Sequence, residues 1–172
     1  VFQPTEVQMM LAAFSNMETV HIAAYSHLLD TIGMPEAEYS AFLHYKEMKD
    51  KYDYMRQFGV ETKEDIAKAL AGFGAFTEGL QLFASFAILL NFPRSNQMTG
   101  MGQIVSGSVR DETLHTQSMI RLFKTFVSEN PEIWTQDFQR ELYMACETIV
   151  THEDAFIDLA FELGAVEGLD AS

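Results

Sequence analysis

The sequence predicts an all-α fold, an antiparallel helical bundle, and three features carry that expectation. Apolar residues recur at helical spacing through long runs. No stretch alternates apolar and polar residues as a half-buried strand would. Several of the expected helices exceed the usual globular length, which suits a bundle better than a packing of short pieces. The chain has 172 residues, of which 48% are hydrophobic and 21% charged, a composition that supports one core and argues against disorder. No tandem period, low-complexity tract or linker divides it, so residues 1–172 are expected to form a single helical domain.

The first helix is expected from Thr5 to about Ile32. Pro4 precedes it, Thr5 and Gln8 stand in the relation of a capping box, and Gly33 suits its C-cap. Pro35 opens a second helix, in which Tyr39, Phe42, Leu43, Met48, Tyr52 and Met55 recur at helical spacing; it stops near Phe58, before Gly59. Thr62 with Asp65 caps a third helix that runs to about Leu90. Gly72, Gly74 and Gly79 weaken it locally, by about 1 kcal/mol each relative to Ala, and permit either close helix contact or an irregular turn. Asn91-Phe92-Pro93 ends it, and the chain through Gly102 reads as a loop. A fourth helix is expected over about Ile104 to Val127, before Asn130-Pro131, and a fifth from Gln136 to Leu163, with Gly164 as its stop.

Charge and cysteine usage narrow the function. Eleven Lys and Arg against 25 Asp and Glu leave a formal charge of −14, which repels phosphate backbones and anionic lipid surfaces. Neither nucleic acid nor a membrane is therefore an expected partner. The longest apolar stretch, Leu82 to Leu90, is about half of the ~20 residues a spanning helix needs. Cys146, the one cysteine, can form no internal disulfide and suits a reducing compartment such as the cytoplasm.

Two histidines follow a glutamate at the same interval: Glu18-Thr19-Val20-His21 and Glu112-Thr113-Leu114-His115. At i and i+3 of a helix both side chains emerge on one face and can converge on one ion. Met17, Val20, Ala24 and Leu28 flank the first pair, and Val109, Leu114 and Met119 the second. Charged groups set among such residues need a compensating partner, which a divalent metal supplies. Two such short pairs arise by chance about one time in fifteen at this composition, so a third element has to carry weight. Glu78 is that element: it sits between Phe73 and Phe83 with no basic residue in the window. A dinuclear carboxylate bundle takes a Glu-x-x-His from each of two helices and an acid from each of two others. Here two helices offer the pairs and a third offers Glu78. No later acid has a comparable setting, and Glu6 lies about three turns before Glu18. The fourth acid is therefore expected upstream of Val1. Tyr25 follows His21 by four residues and so shares its face; beside an oxygen-activating metal pair a buried phenol becomes oxidisable, whereas elsewhere it is an ordinary core tyrosine.

The remaining candidates read more plainly. His27, His44 and His152 lack ligand-like partners, and His152-Glu153-Asp154 lacks the second histidine of a zinc-protease motif. The ten methionines read as adaptable core filler, Cys146 as a small buried hydrophobe, and Glu162 to Asp170 as solvated surface.

Taken in order, Glu18-x-x-His21-x-x-x-Tyr25, Glu78 and Arg110-Asp111-Glu112-x-x-His115 closely resemble the small, radical-generating subunit of class I ribonucleotide reductase. The likeness runs from near Val1 to about Val127. It implies a ferritin-like helical bundle with a dinuclear iron or manganese centre, or a mixed manganese–iron one, that reacts with oxygen to oxidise a nearby tyrosine. Carried across, Glu18 and His21 bind the first metal, Glu78, Glu112 and His115 the second, and Glu18 and Glu112 bridge. Tyr25 matches the radical tyrosine, and Asp111 a carboxylate that hydrogen-bonds the first-site histidine. Leu82, Phe86 and Ser108 fall at the positions around that tyrosine, Ser108 where the family often has a branched apolar residue. The resemblance also implies a homodimer, a large catalytic subunit as partner, and reduction of ribonucleotides to deoxyribonucleotides in the cytoplasm. It implies as well that the sequence is a fragment, without the family's upstream aspartate helix and its C-terminal docking tail. Two other readings of the residues stand beside this one: a ferritin-like oxidase or oxygenase acting on a small substrate, and an iron-storing or purely structural bundle. Tyr25 favours the radical reading over both.

Overall fold

The computed structural model describes residues 2–35, 37–41 and 44–170. Helix α1 spans Thr5–Ile32, α2 Glu38–Ala41, α3 Lys46–Met55, α4 Lys63–Ala69, α5 Phe83–Arg94, α6 Thr99–Glu129 and α7 Gln136–Ala160. A π-helical segment, Leu70–Gln81, joins α4 to α5, so that Lys63–Arg94 forms one continuous helix. Among the described residues there is no β-strand, only an isolated bridge between Val166 and Leu169.

Most expected boundaries lie within a few residues of the observed ones, and the departures have local causes. The Thr5–Gln8 capping box does not form: Pro4 is the N-cap, its carbonyl accepts from the Val7 and Gln8 N–H groups at 3.2 Å, and the Gln8 amide turns back to the Phe2 carbonyl at 2.9 Å. Thr5 is thus already inside the helix. The Thr62–Asp65 box does form, in both directions. The second expected helix divides into α2 and α3; Phe42, Leu43 and the Tyr39 side chain lie outside what the structure describes. Helix α6 begins at Thr99, not Ile104, so Gly102 lies inside it, where Pro93 of α5 closes in: a Cβ there would come 2.5 Å from the Pro93 ring. Helix α7 ends at Ala160, short of Leu163.

The glycines of the third helix turn out to serve both purposes open to them. The backbone widens into π turns, with the Thr77 hydroxyl donating to the Gly72 carbonyl five residues back. Gly74 brings this segment against α6 so closely that a side chain would overlap Met119. By length and composition Lys63–Arg94 could cross a membrane, with a mean hydropathy of 1.5 in its most apolar stretch. It packs against α6 and α7, with Glu78 at its middle.

Helix α6 organises the interior, with α1 and Lys63–Arg94 both running antiparallel to it. Along α6, Met101 and Val105 join Phe86, Tyr25 and Leu28 in one apolar cluster; Phe123, Phe126 and Val127 join Ala67, Ile133 and Phe138 in another. Between them α6 buries Ser108, Glu112 and His115. Helix α1 runs opposite: Phe2 meets Phe126, Phe14 meets His115, His21 meets Asp111 and Tyr25 meets Ser108. A polar layer is thereby closed above and below by hydrocarbon.

Candidate metal centre

Glu18, Glu78, Glu112 and His115 each bring a ligand atom within 4.8 Å of the others. Three helical elements deliver them: α1, the π segment and α6. His21 adjoins the group, its Nδ1 3.5 Å from Glu18 Oε2 and 3.3 Å from Glu112 Oε1. His115 Nδ1 lies 3.3 Å from Glu18 Oε1 and 3.4 Å from Glu112 Oε2. Each of the two carboxylates therefore divides its oxygens between the two imidazoles.

The electrostatics are those of a site built for a cation. Glu18 Oε1, Glu78 Oε2, Glu112 Oε2 and both ring nitrogens of His115 are buried without a hydrogen-bond partner. Among the described residues no Lys or Arg pairs with Glu18, Glu78 or Glu112. Burial, reinforced by Glu112 and Glu18, pushes Glu78 up to about 8. Burial and the Glu18 charge push Glu112 up to about 7. Burial holds His115 below the ordinary imidazole value. Orphaned acceptors around a neutral imidazole fit a divalent ion, and this mix of carboxylate oxygen and imidazole nitrogen suits iron or manganese.

Around the cluster, Asp111 Oδ2 lies 3.2 Å from His21 Nε2. A carboxylate only accepts, so Nε2–H is the donor in this bond, and Nδ1, which faces Glu18 and Glu112, is the nitrogen placed to ligate a metal. Tyr25 donates its phenolic hydrogen to Ser108 Oγ at 3.0 Å. Phe14 stacks on His115 with ring centroids 4.1 Å apart; it precedes Glu18 by four residues on α1, which was its only signal in the sequence.

The apolar neighbours of the two Glu-x-x-His pairs do not all contribute burial. Val20 and Leu114 are 60% and 52% exposed and face outward, and Met9 and Ile22 on α1 are exposed too. Nor is Glu78 the last acid in a buried setting. Glu153 on α7 is buried, and it escapes notice because its sequence neighbours are polar. Lys51 of α3 neutralises it at 2.6 Å, and it is not one of the carboxylate–histidine group. His152 beside it packs on Tyr54, and Trp134 packs between Phe123 and Phe138.

Comparison with known proteins agrees with this geometry. The chain matches the family described as ribonucleotide reductase, small chain, over residues 1–172. It is 48% identical over 179 residues to a probable ribonucleoside-diphosphate reductase small subunit of Invertebrate iridescent virus 6, covering 94% of this chain and 50% of that protein. The like-named protein of Invertebrate iridescent virus 3 is 43% identical over 189 residues, 99% of this chain and 50% of that one. The ribonucleoside-diphosphate reductase subunit beta of Chlamydia pneumoniae is 30% identical over 149 residues, 79% of this chain and 43% of that one. The chain spans about half the length of the curated relatives it matches. With a ferritin-like helical bundle, a carboxylate–histidine cluster able to hold metal and a match along its whole length, the chain belongs to the ribonucleotide reductase small-chain family.

Proposed function

We propose that this chain is the metal-binding part of a small subunit of ribonucleoside-diphosphate reductase, in which Glu18, His21, Glu78, Glu112 and His115 hold a dinuclear iron or manganese centre. The observation that carries the reading is the division of the Glu18 and Glu112 oxygens between His21 and His115, as expected of carboxylates that bridge two ions. When bound, such a centre supplies, with oxygen, the one-electron oxidising power that a phenol requires.

The chain's own residues prepare for that chemistry. Asp111 keeps the His21 proton on Nε2 and the opposite nitrogen free to ligate. Phe14 covers His115 and excludes water from its face. Tyr25 is the group oxidised, one turn beyond His21 on α1 and packed with Leu28, Leu82 and Phe86. Burial raises its pKa, the Ser108 bond offsets part of that, and the Glu112 charge adds to it, so the phenol is protonated until oxidised. The oxidising equivalent serves a large catalytic subunit that reduces ribonucleotides to deoxyribonucleotides, in a cytoplasmic assembly built on a homodimer of this subunit.

One observation favours a second reading. A cleft of about 490 Å³ lies against Glu18, His21, Tyr25 and Glu112, room for a small organic substrate of an oxidase or oxygenase. Tyr25→Phe in the full-length protein separates the two. Under the reductase reading metal uptake and oxygen consumption are normal, while ribonucleotide reduction with the large subunit is lost. Full reductase activity in the variant, or turnover of a small organic substrate without the large subunit, contradicts it.

A further inference from the structure

Ser108 stands on α6 one turn before Glu112 and is 3% exposed. Phe86, Met101 and Val105, with Leu28, Leu82 and Val109, make the surroundings of the Tyr25–Ser108 pair apolar. A hydroxyl in such a wall is costly unless it is paired, and alanine would serve the helix better. The bond from Tyr25, at 3.0 Å and across 83 residues of sequence, is the one hydrogen bond described for this side chain.

We propose that Ser108 is the positioning residue of Tyr25: it accepts the phenolic hydrogen bond in the reduced protein, and after oxidation turns its own O–H to donate to the phenoxyl oxygen. The proposal rests on the reading that Tyr25 is oxidised. A serine hydroxyl carries one donor and two lone pairs and can take either role without moving its oxygen. The balance closes as follows. On oxidation the electron would go to the metal centre that Glu18, His21, Glu78, Glu112 and His115 would hold, and the phenolic proton would leave its bond to Ser108 for solvent in the cleft that Tyr25 and Ser108 both line. Ser108 keeps its proton and reverses one hydrogen bond. The radical so formed is hydrogen-bonded, and more stable than a bare phenoxyl in the same apolar wall.

The test uses the full-length protein as wild type, Ser108→Ala and Ser108→Thr, with tyrosine carbon-13 labelled at Cζ. In the metal-free protein the Tyr25 Cζ resonance, assigned with Tyr25→Phe, is expected to shift in Ser108→Ala and return in Ser108→Thr. A resonance unmoved in Ser108→Ala overturns the proposal whatever the metal chemistry. After loading with ferrous iron and exposure to oxygen in deuterated water, the tyrosyl radical is expected to show one exchangeable deuteron coupling in wild type and Ser108→Thr, lost in Ser108→Ala. A coupling that persists in Ser108→Ala assigns the donor to water and overturns the proposal. A resonance that shifts with no phenoxyl in any protein overturns the radical reading, and with it the donor role, while the positioning of the phenol stands.

Discussion

Glu112 holds its Oε1 3.3 Å from His21 Nδ1, although the two side chains come from different helices. Its other oxygen faces His115 on its own helix, so one carboxylate ties α1 to α6 at the centre of the polar layer. Without a cation that arrangement crowds carboxyl groups together with orphaned oxygens, and most of what the site is expected to do follows from it.

The metal-free protein should lose stability as pH rises. A carboxyl whose folded pKa exceeds its unfolded value binds its proton more tightly when folded. Its stabilisation is therefore complete below the unfolded value and lost as pH climbs through the folded one. For Glu78 that window runs from 4.5 to about 8. Chelated thermal melts at about pH 5.5 and about pH 8.5 should show a drop in Tm that is smaller in Glu78→Gln. An equal drop in the variant would place the effect elsewhere. Metal binding works in the opposite sense, releasing protons and tightening as pH rises.

Glu78→Ala separates a ligand from a structural ion pair. As a ligand, its loss should weaken metal binding by at least about tenfold, a change of ~1.4 kcal/mol, while the chelated variant melts at or above the wild-type temperature. Loss of stability after exhaustive chelation would mean that the carboxylate holds the bundle together.

Asp111→Ala should leave the fold intact and weaken metal on the His21 side by roughly 10–100-fold, because the imidazole loses the partner that sets its tautomer. Asp111→Asn keeps an acceptor and should fall between. Within this chain the His115 side, with Glu78, Glu112 and His115, offers more ligands than the His21 side. Anomalous scattering at the metal edge should therefore show higher occupancy beside His115, and the reverse order would contradict the assignment.

Lys51 and Glu153 give a contrast from outside the site. Their pairing at 2.6 Å joins α3 to α7 with both side chains largely buried. Lys51→Ala leaves Glu153 without its cation and should cost roughly 3–5 kcal/mol in denaturant unfolding, metal or no metal. Unchanged stability would mean that the carboxyl is carried protonated.

The parts legible in the sequence are those that local spacing determines. Glu18 with His21 and Glu112 with His115 share helix faces because i and i+3 always do, and Glu78 stands out because nothing basic accompanies it. What was not legible depends on tertiary approach. Gly72, Gly74 and Gly79 announced an irregularity, but the π turns and the Met119 contact are set by how closely α6 lies. Glu153 is buried although its neighbours in sequence are polar, because Lys51 arrives from a distant helix. Val20 and Leu114, apolar in sequence, face outward, because one helix face cannot be told from the other until its partners are in place. The Tyr25–Ser108 bond joins positions that only the antiparallel pairing of α1 with α6 brings together.

The most direct test of the account is electron paramagnetic resonance of the full-length protein after iron loading and exposure to oxygen, with and without ring-deuterated tyrosine. A tyrosyl signal is expected that narrows on ring deuteration and is absent, rather than displaced, in Tyr25→Phe, since phenylalanine has no phenolic proton and electron to lose. A wild-type protein that consumes oxygen and supports ribonucleotide reduction without that signal, or one whose tyrosyl signal survives in Tyr25→Phe, would contradict it.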